Sequence, residues 1–167
     1  MKTVPPYDAR NRLRLHHEGE PDETARGEAE VNDELLARVE DEVLGWPGVS
    51  KERGGGGQGR GGFWVPPATI YRLGRRALGH IHDTGVADLA FPRGIHDELI
   101  SDGRARPHGA GFSGVVSYHI RGPADVPEVV RLFRMSYDRA REAAERRRER
   151  TERGHSSDGQ AIEGPES

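Results

Sequence analysis

The chain has 167 residues, 33% of them hydrophobic and 32% charged, with a net charge of −3 and no cysteine. That length suits a single domain, and the polarity is too high for every residue to share one packed core. Without cysteine there is no disulfide, thiolate metal site, iron–sulfur cluster or cysteine nucleophile, so a metal would have to be held by His, Asp or Glu. The N-terminus lacks the apolar run of a signal peptide, and nowhere do about 18 apolar residues adjoin, which reads as a cytoplasmic protein without a membrane association.

Residues 1–30, with Pro5, Pro6, Pro21 and scattered charges, are expected to form a disordered tail. The folded domain is expected over 31–153. It opens on Asn32 as a helix N-cap, followed by Leu35, Leu36, Val39 and Val43 at helical spacing until Gly45 and Pro47 stop the pattern. Val49 to Arg53 reads as a short strand. The glycine-rich stretch from Gly54 to Gly62 lacks the Gly-Lys-Ser/Thr of a phosphate loop and runs into Phe63, Trp64, Val65, Pro66 and Pro67, so it reads as a flexible hairpin loop. Phe63 and Trp64 are candidate walls of a substrate pocket, with core packing as the blander alternative.

Three short strands are predicted next, at Ala68–Leu73, Ala77–His82 and Val86–Phe91, separated by tight turns at Gly74 and Gly85. Ile95 to Ser101 reads as a short helix ending near Gly103, and Arg104 to His108 as an edge strand. Gly114 to Arg121 alternates, with Val116, Tyr118 and Ile120 on one face and Val115, Ser117, His119 and Arg121 on the other. The longest helix opens between Pro123 and Pro127 and carries Val126, Val129, Val130, Phe133, Tyr137, Ala140 and Ala144 inward. Its end, from Arg139 to Arg153, holds seven arginines against four glutamates and is expected to project into solvent. Residues 154–167 are expected to be a second disordered tail. The class is therefore α+β: a small, mostly antiparallel sheet of about five or six short strands, packed with an N-terminal helix, a short middle helix and a long C-terminal helix.

The residues that can carry chemistry converge on His80 and His82. Two residues apart on a strand, both imidazoles point to one face. Asp88 follows across a short turn, and His108 lies on a later edge segment that can reach the same sheet. Imidazole nitrogen and carboxylate oxygen suit a metal, and a histidine also suits a general base, since its reference pKa near 6.5 permits either protonation state. A half-exposed face that simply tolerates imidazole gives the same pattern, so the sequence leaves a metal undecided. His96 and His119 are weaker candidates. Neither Ser113 nor Ser117 sits in the Gly-X-Ser-X-Gly elbow of an acyl-transfer nucleophile.

The order of motifs Leu78-Gly79-His80-Ile81-His82, Ala87-Asp88-Leu89-Ala90-Phe91-Pro92, Asp97-Glu98-Leu99-Ile100, Gly103-Arg104-Ala105-Arg106-Pro107-His108 and Leu132-Phe133-Arg134-Met135-Ser136-Tyr137 resembles the luciferase-like domain family named after the fungal luciferase. The resemblance is concentrated between Leu78 and Ala140. It implies an oxidoreductase of luciferase or oxygenase type, in which a small aromatic or enolic molecule is bound or oxidised with oxygen. It also carries His80, His82, Asp88 and His108 over as catalytic positions. The family commonly has Trp-Gly where this chain reads Asp102-Gly103, and Trp near Gly114 where it reads Phe112-Ser113-Gly114, so the substrate pocket is expected to differ. Deprotonation by His80 or His82 would prepare such a substrate for oxygen without any cofactor. The alternative is a noncatalytic module binding protein or nucleic acid through the arginine-rich helix end. The missing interleaved aromatics weigh against nucleic acid, and the oligomeric state is not legible.

Overall fold

The computed structural model describes residues 23–58, 64–109 and 112–157, with side chains described for 33–58, 65–109 and 112–153. Among the described residues there are three α-helices, α1 (Glu23–Leu44), α2 (Arg93–Ser101) and α3 (Val126–Ser157). Eight strands accompany them: β1 (Val49–Gly54), β2 (Gly57–Gln58), β3 (Trp64–Val65), β4 (Ala68–Leu73), β5 (Arg76–His82), β6 (Val86–Ala90), β7 (Arg106–Pro107) and β8 (Val115–His119). Six of the strands form an antiparallel sheet in the order β1-β4-β5-β6-β8-β7, and β2 and β3 pair as a separate small ribbon. The architecture is α+β.

The first helix begins earlier than its Asn32 cap signal suggests. Residues 23–31 are rich in Glu, Ala and Arg, which favour a helix and let it run through Asn32 without a break. The tail expected over 1–30 thus meets a helix at Glu23, and residues 1–22 lie outside the described part of the chain, as do 158–167. Leu35, Val39 and Val43, four residues apart, are buried against the core. On α3 the buried stripe is Val126, Val129, Leu132, Phe133, Ser136, Tyr137 and Ala140. Ala144 is exposed, so packing stops one turn earlier than the apolar spacing implies.

Phe133 decides how close α3 can come to the sheet. It meets the edge of Tyr71 with ring centroids 5.2 Å apart. A Cβ added at Gly79 would lie 2.9 Å from the Phe133 ring and 3.0 Å from Leu89 Cγ. Glycine is needed there because helix and strand touch. Beside it, β5 carries a bulge: Tyr71 pairs Gly79 while Arg72 pairs Ala77, leaving Leu78 as the extra residue. Ser136 Oγ donates to the Leu78 carbonyl at 2.7 Å and secures that irregularity to α3. Simple alternation would put Leu78 on the side of His80 and His82; the bulge lets it join the hydrophobic core.

With Gly79 against α3, the neighbouring His80 must point to the opposite side of the sheet. The turn from His82 to Gly85 closes with Gly85 N–H donating to the His82 carbonyl at 2.9 Å, and Gly85 takes φ of +79°, a conformation that glycine adopts without strain. This turn fixes the register that follows, in which His80 pairs Asp88 and Asp88 pairs Ser117. Asp125 anchors the start of α3, accepting from the Arg121 and Gly122 backbone N–H groups at 2.8 and 3.0 Å and from the Tyr118 hydroxyl at 3.0 Å. Among the described residues no helix is long and apolar enough to cross a membrane.

Candidate functional site

Across β5, β6 and β8 the register places His80, Asp88 and Ser117 in one row on the face turned away from α3, with His82 two residues along the same strand. The expected edge strand is present as β7, where Arg106 pairs Ser117. His108 follows immediately and reaches back over β8. All four residues singled out from the sequence therefore meet at one place.

Asp88 is the centre. Its side chain is 2% exposed, and its two oxygens divide the neighbours between them. Oδ2 lies 3.3 Å from His80 Nε2 and 3.2 Å from His82 Nε2. Oδ1 lies 3.2 Å from His108 Nδ1 and accepts a hydrogen bond from Ser117 Oγ. Burial alone would raise the carboxyl's pKa. Hydrogen bonds from His80 and Ser117, with the charges of His108 and His80, overcome that and hold it well below the usual carboxylate range. Asp88 is a buried anion with Ser117 and three imidazoles around its two oxygens.

The three histidines are not equivalent. His82 is buried, and both of its nitrogens are engaged: Nε2 faces Asp88, while Nδ1 lies 3.2 Å from the Pro66 carbonyl and 3.4 Å from that of Pro67. It has no free nitrogen with which to take a proton from a ligand. His80, with a 37% exposed side chain, turns one nitrogen to Asp88 and stands edge-on to His82 at a ring separation of 4.8 Å. His108 places Nδ1 against Asp88 and Ser117, so its Nε2 points away from both.

Two further residues of the cluster are not marked out by the sequence. The sequence shows Ser117 only as a polar residue of an alternating strand outside any nucleophile elbow, whereas it is a buried donor to Asp88, and its place between Val116 and Tyr118 acquires meaning only from the sheet register. Phe112 is the large hydrophobic side chain left exposed among the described residues, 54% accessible, and its ring lies 5.6 Å from that of His108. Phe63 lies outside the described residues, as does the side chain of Trp64, whose backbone belongs to β3. His96 pairs with Asp97 on α2, and His119 is exposed; neither joins the cluster. A groove of about 440 Å³ beside α1, lined in part by Leu36, Tyr71 and Ile81, lies on the other side of the sheet from the cluster.

The family model described as Luciferase domain matches residues 75–136. That segment is similar to the luciferase-like domain. It spans β5 to the middle of α3 and contains Asp88, Ser117 and all three clustered histidines, while α1, β1 to β4 and the Pro66–Pro67 carbonyls lie before it. The match covers less than half of the chain. No curated protein and no solved structure matches the sequence.

Proposed function

We propose that the luciferase-like segment binds a small aromatic or enolic molecule over Phe112 and His108 and oxidises it with molecular oxygen, with His108 as the general base. The single observation that carries this reading is the orientation of His108. A carboxylate and a hydroxyl hold its Nδ1, as the orienting group of an Asp–His dyad does, which leaves Nε2 to accept a substrate proton. The exposed Phe112 ring beside it offers a planar apolar surface for an aromatic substrate.

Removal of an enolic proton by His108 yields an electron-rich enolate. Its carbon forms a bond to oxygen, the carbon being oxidised and O₂ reduced, and the proton held on His108 passes to the resulting peroxide. Arg106, across from Ser117 on the same row, supplies a cation for the transient anion. This reading moves the base from the His80–His82 pair to His108: both nitrogens of His82 are engaged, and His108 is the imidazole held by a carboxylate and a hydroxyl beside the exposed Phe112 ring. A noncatalytic interaction role would rest on the end of α3, where Arg141, Arg146 and Arg153 pair with glutamates on their own helix.

The test is oxygen consumption by the purified full chain against a panel of hydroxylated pyrones and enolisable phenols. His108→Ala should lower kcat by about 100-fold or more for any compound turned over, consistent with loss of a general base. Full turnover by His108→Ala with its circular dichroism unchanged would remove His108 from the role.

A further inference from the structure

The proton bookkeeping around His82 does not close with protein atoms alone. Pro66 and Pro67 present carbonyl oxygens to Nδ1, and a carbonyl has no proton to give, so Nδ1 must carry the hydrogen. In a neutral imidazole Nε2 then holds a lone pair, and it faces an oxygen of an ionised carboxylate at 3.2 Å. Two lone pairs at that distance repel unless a positive centre stands with them. An additional proton can fill that place, and so can a metal ion.

The surroundings favour the metal. His80 Nε2 approaches the same Oδ2 at 3.3 Å, so two nitrogens and one oxygen converge, and the three candidate ligand atoms lie within 4.8 Å of one another. Donors on a tetrahedral ion at bond lengths near 2.0–2.1 Å stand roughly 3.3 Å apart, close to both of these nitrogen–oxygen separations. A metal-binding imidazole commonly donates its other N–H to a backbone carbonyl, which fixes its orientation and raises its basicity. The Pro66–Pro67 segment does this for His82. Asp88 is likewise oriented from behind, with Ser117 and His108 on Oδ1 leaving Oδ2 for the ion.

We propose that His80 Nε2, His82 Nε2 and Asp88 Oδ2 form a three-donor site for a divalent first-row transition cation such as Zn²⁺, Co²⁺ or Fe²⁺. The two imidazoles and one carboxylate suit the borderline character of these ions, and the half-exposed side of His80 leaves the remaining coordination positions open to water or a ligand oxygen. Mg²⁺ and Ca²⁺, which prefer all-oxygen shells, are poor matches. The site goes beyond the function proposed above, because it depends on His80 and His82 and not on His108 as a base.

The experiment uses the full chain, stripped with a chelator and titrated with ZnCl₂ by calorimetry and with CoCl₂ by visible absorption. One equivalent of each should bind, with the cobalt d–d bands reporting nitrogen and oxygen ligands. His80→Ala, at a half-exposed position, should weaken binding by about 100-fold or more. His82→Ala should do the same, and His108→Ala should retain binding to within roughly tenfold, the range of a supporting contact. A chain that takes up neither ion, or affinity unchanged in His80→Ala, would overturn the site. Equal losses in His80→Ala and His108→Ala would overturn the choice of ligands. Zinc binding with no effect of His108→Ala on oxygen consumption would leave this site standing and end the base assignment, so the two readings fail separately.

Discussion

The two faces of the central sheet solve opposite problems with the same strands. Toward α3, Tyr71, Gly79, Ile81, Ala87, Leu89 and Val116 are buried and apolar, and they gain stability by removing surface from water. On the other side, His80, His82, Asp88 and Ser117 occupy the alternate positions, and there a buried carboxylate is held by the Ser117 hydroxyl on one oxygen and faced by two imidazole nitrogens on the other. The apolar face depends on shape. The polar face depends on direction, since each donor must meet one particular oxygen of Asp88. Substitutions on the first face should therefore act on stability, and those on the second on both stability and binding.

The largest break expected on the apolar side is Phe133→Ala. Phe133 is fully buried between Tyr71 and Gly79, and its removal should cost about 3–5 kcal/mol in urea unfolding, enough to threaten the fold. On the polar side, Ser117→Ala removes a donor from the buried Asp88 and should cost about 1–3 kcal/mol. It should also weaken Zn²⁺ binding by roughly tenfold, because Asp88 loses a group that orients it. An equal loss of stability with unchanged metal affinity would erase the distinction between the faces.

Asp125 tests the edge of both. Its carboxyl is shifted down from its ordinary value: burial opposes the shift, but the backbone N–H of Arg121, the Tyr118 hydroxyl and the backbone N–H of Gly122 outweigh it. A depressed folded-state pKa means that its stabilisation is complete above the unfolded carboxylate pKa and is lost as pH falls through the folded one. Asp125→Asn should cost about 1 kcal/mol at pH 7 and flatten the acid side of the stability profile below about pH 4. The smallest effect belongs to neither face. Glu142→Ala removes an exposed partner of Arg146 and should change stability by less than about 0.5 kcal/mol in the same unfolding assay.

Much of this was legible in the chain because local chemistry decided it. The strands around Leu73, His80 and Leu89 are short apolar runs bounded by Gly74 and Gly85, and the last helix carries an unambiguous inward stripe. His80, His82, Asp88 and His108 were found by residue type and spacing. What escaped depended on contacts distant in sequence. The bulge at Leu78 is held by Ser136, far along the chain, and no local pattern announces it. Ser117 looks like any polar residue of an alternating strand until the register sets it against Asp88. The difference in role between His82 and His108 comes from the Pro66–Pro67 carbonyls, whose approach to β5 is a tertiary fact.

The turn from His82 to Gly85 also acts as a ruler. One residue more or fewer between the two strands would carry Asp88 through the sheet, setting a charge against Phe133 and an alanine or leucine among the histidines. Length in this turn is thus under tighter constraint than the identity of exposed Asp83 or Thr84. The start of the glycine-rich stretch is fixed as well: Gly54 pairs Ala68, Gly57 pairs Val65, and a Cβ added at Gly56 would lie 2.8 Å from the Pro67 ring. For anyone redesigning the protein, the four-residue turn is the place to leave length alone.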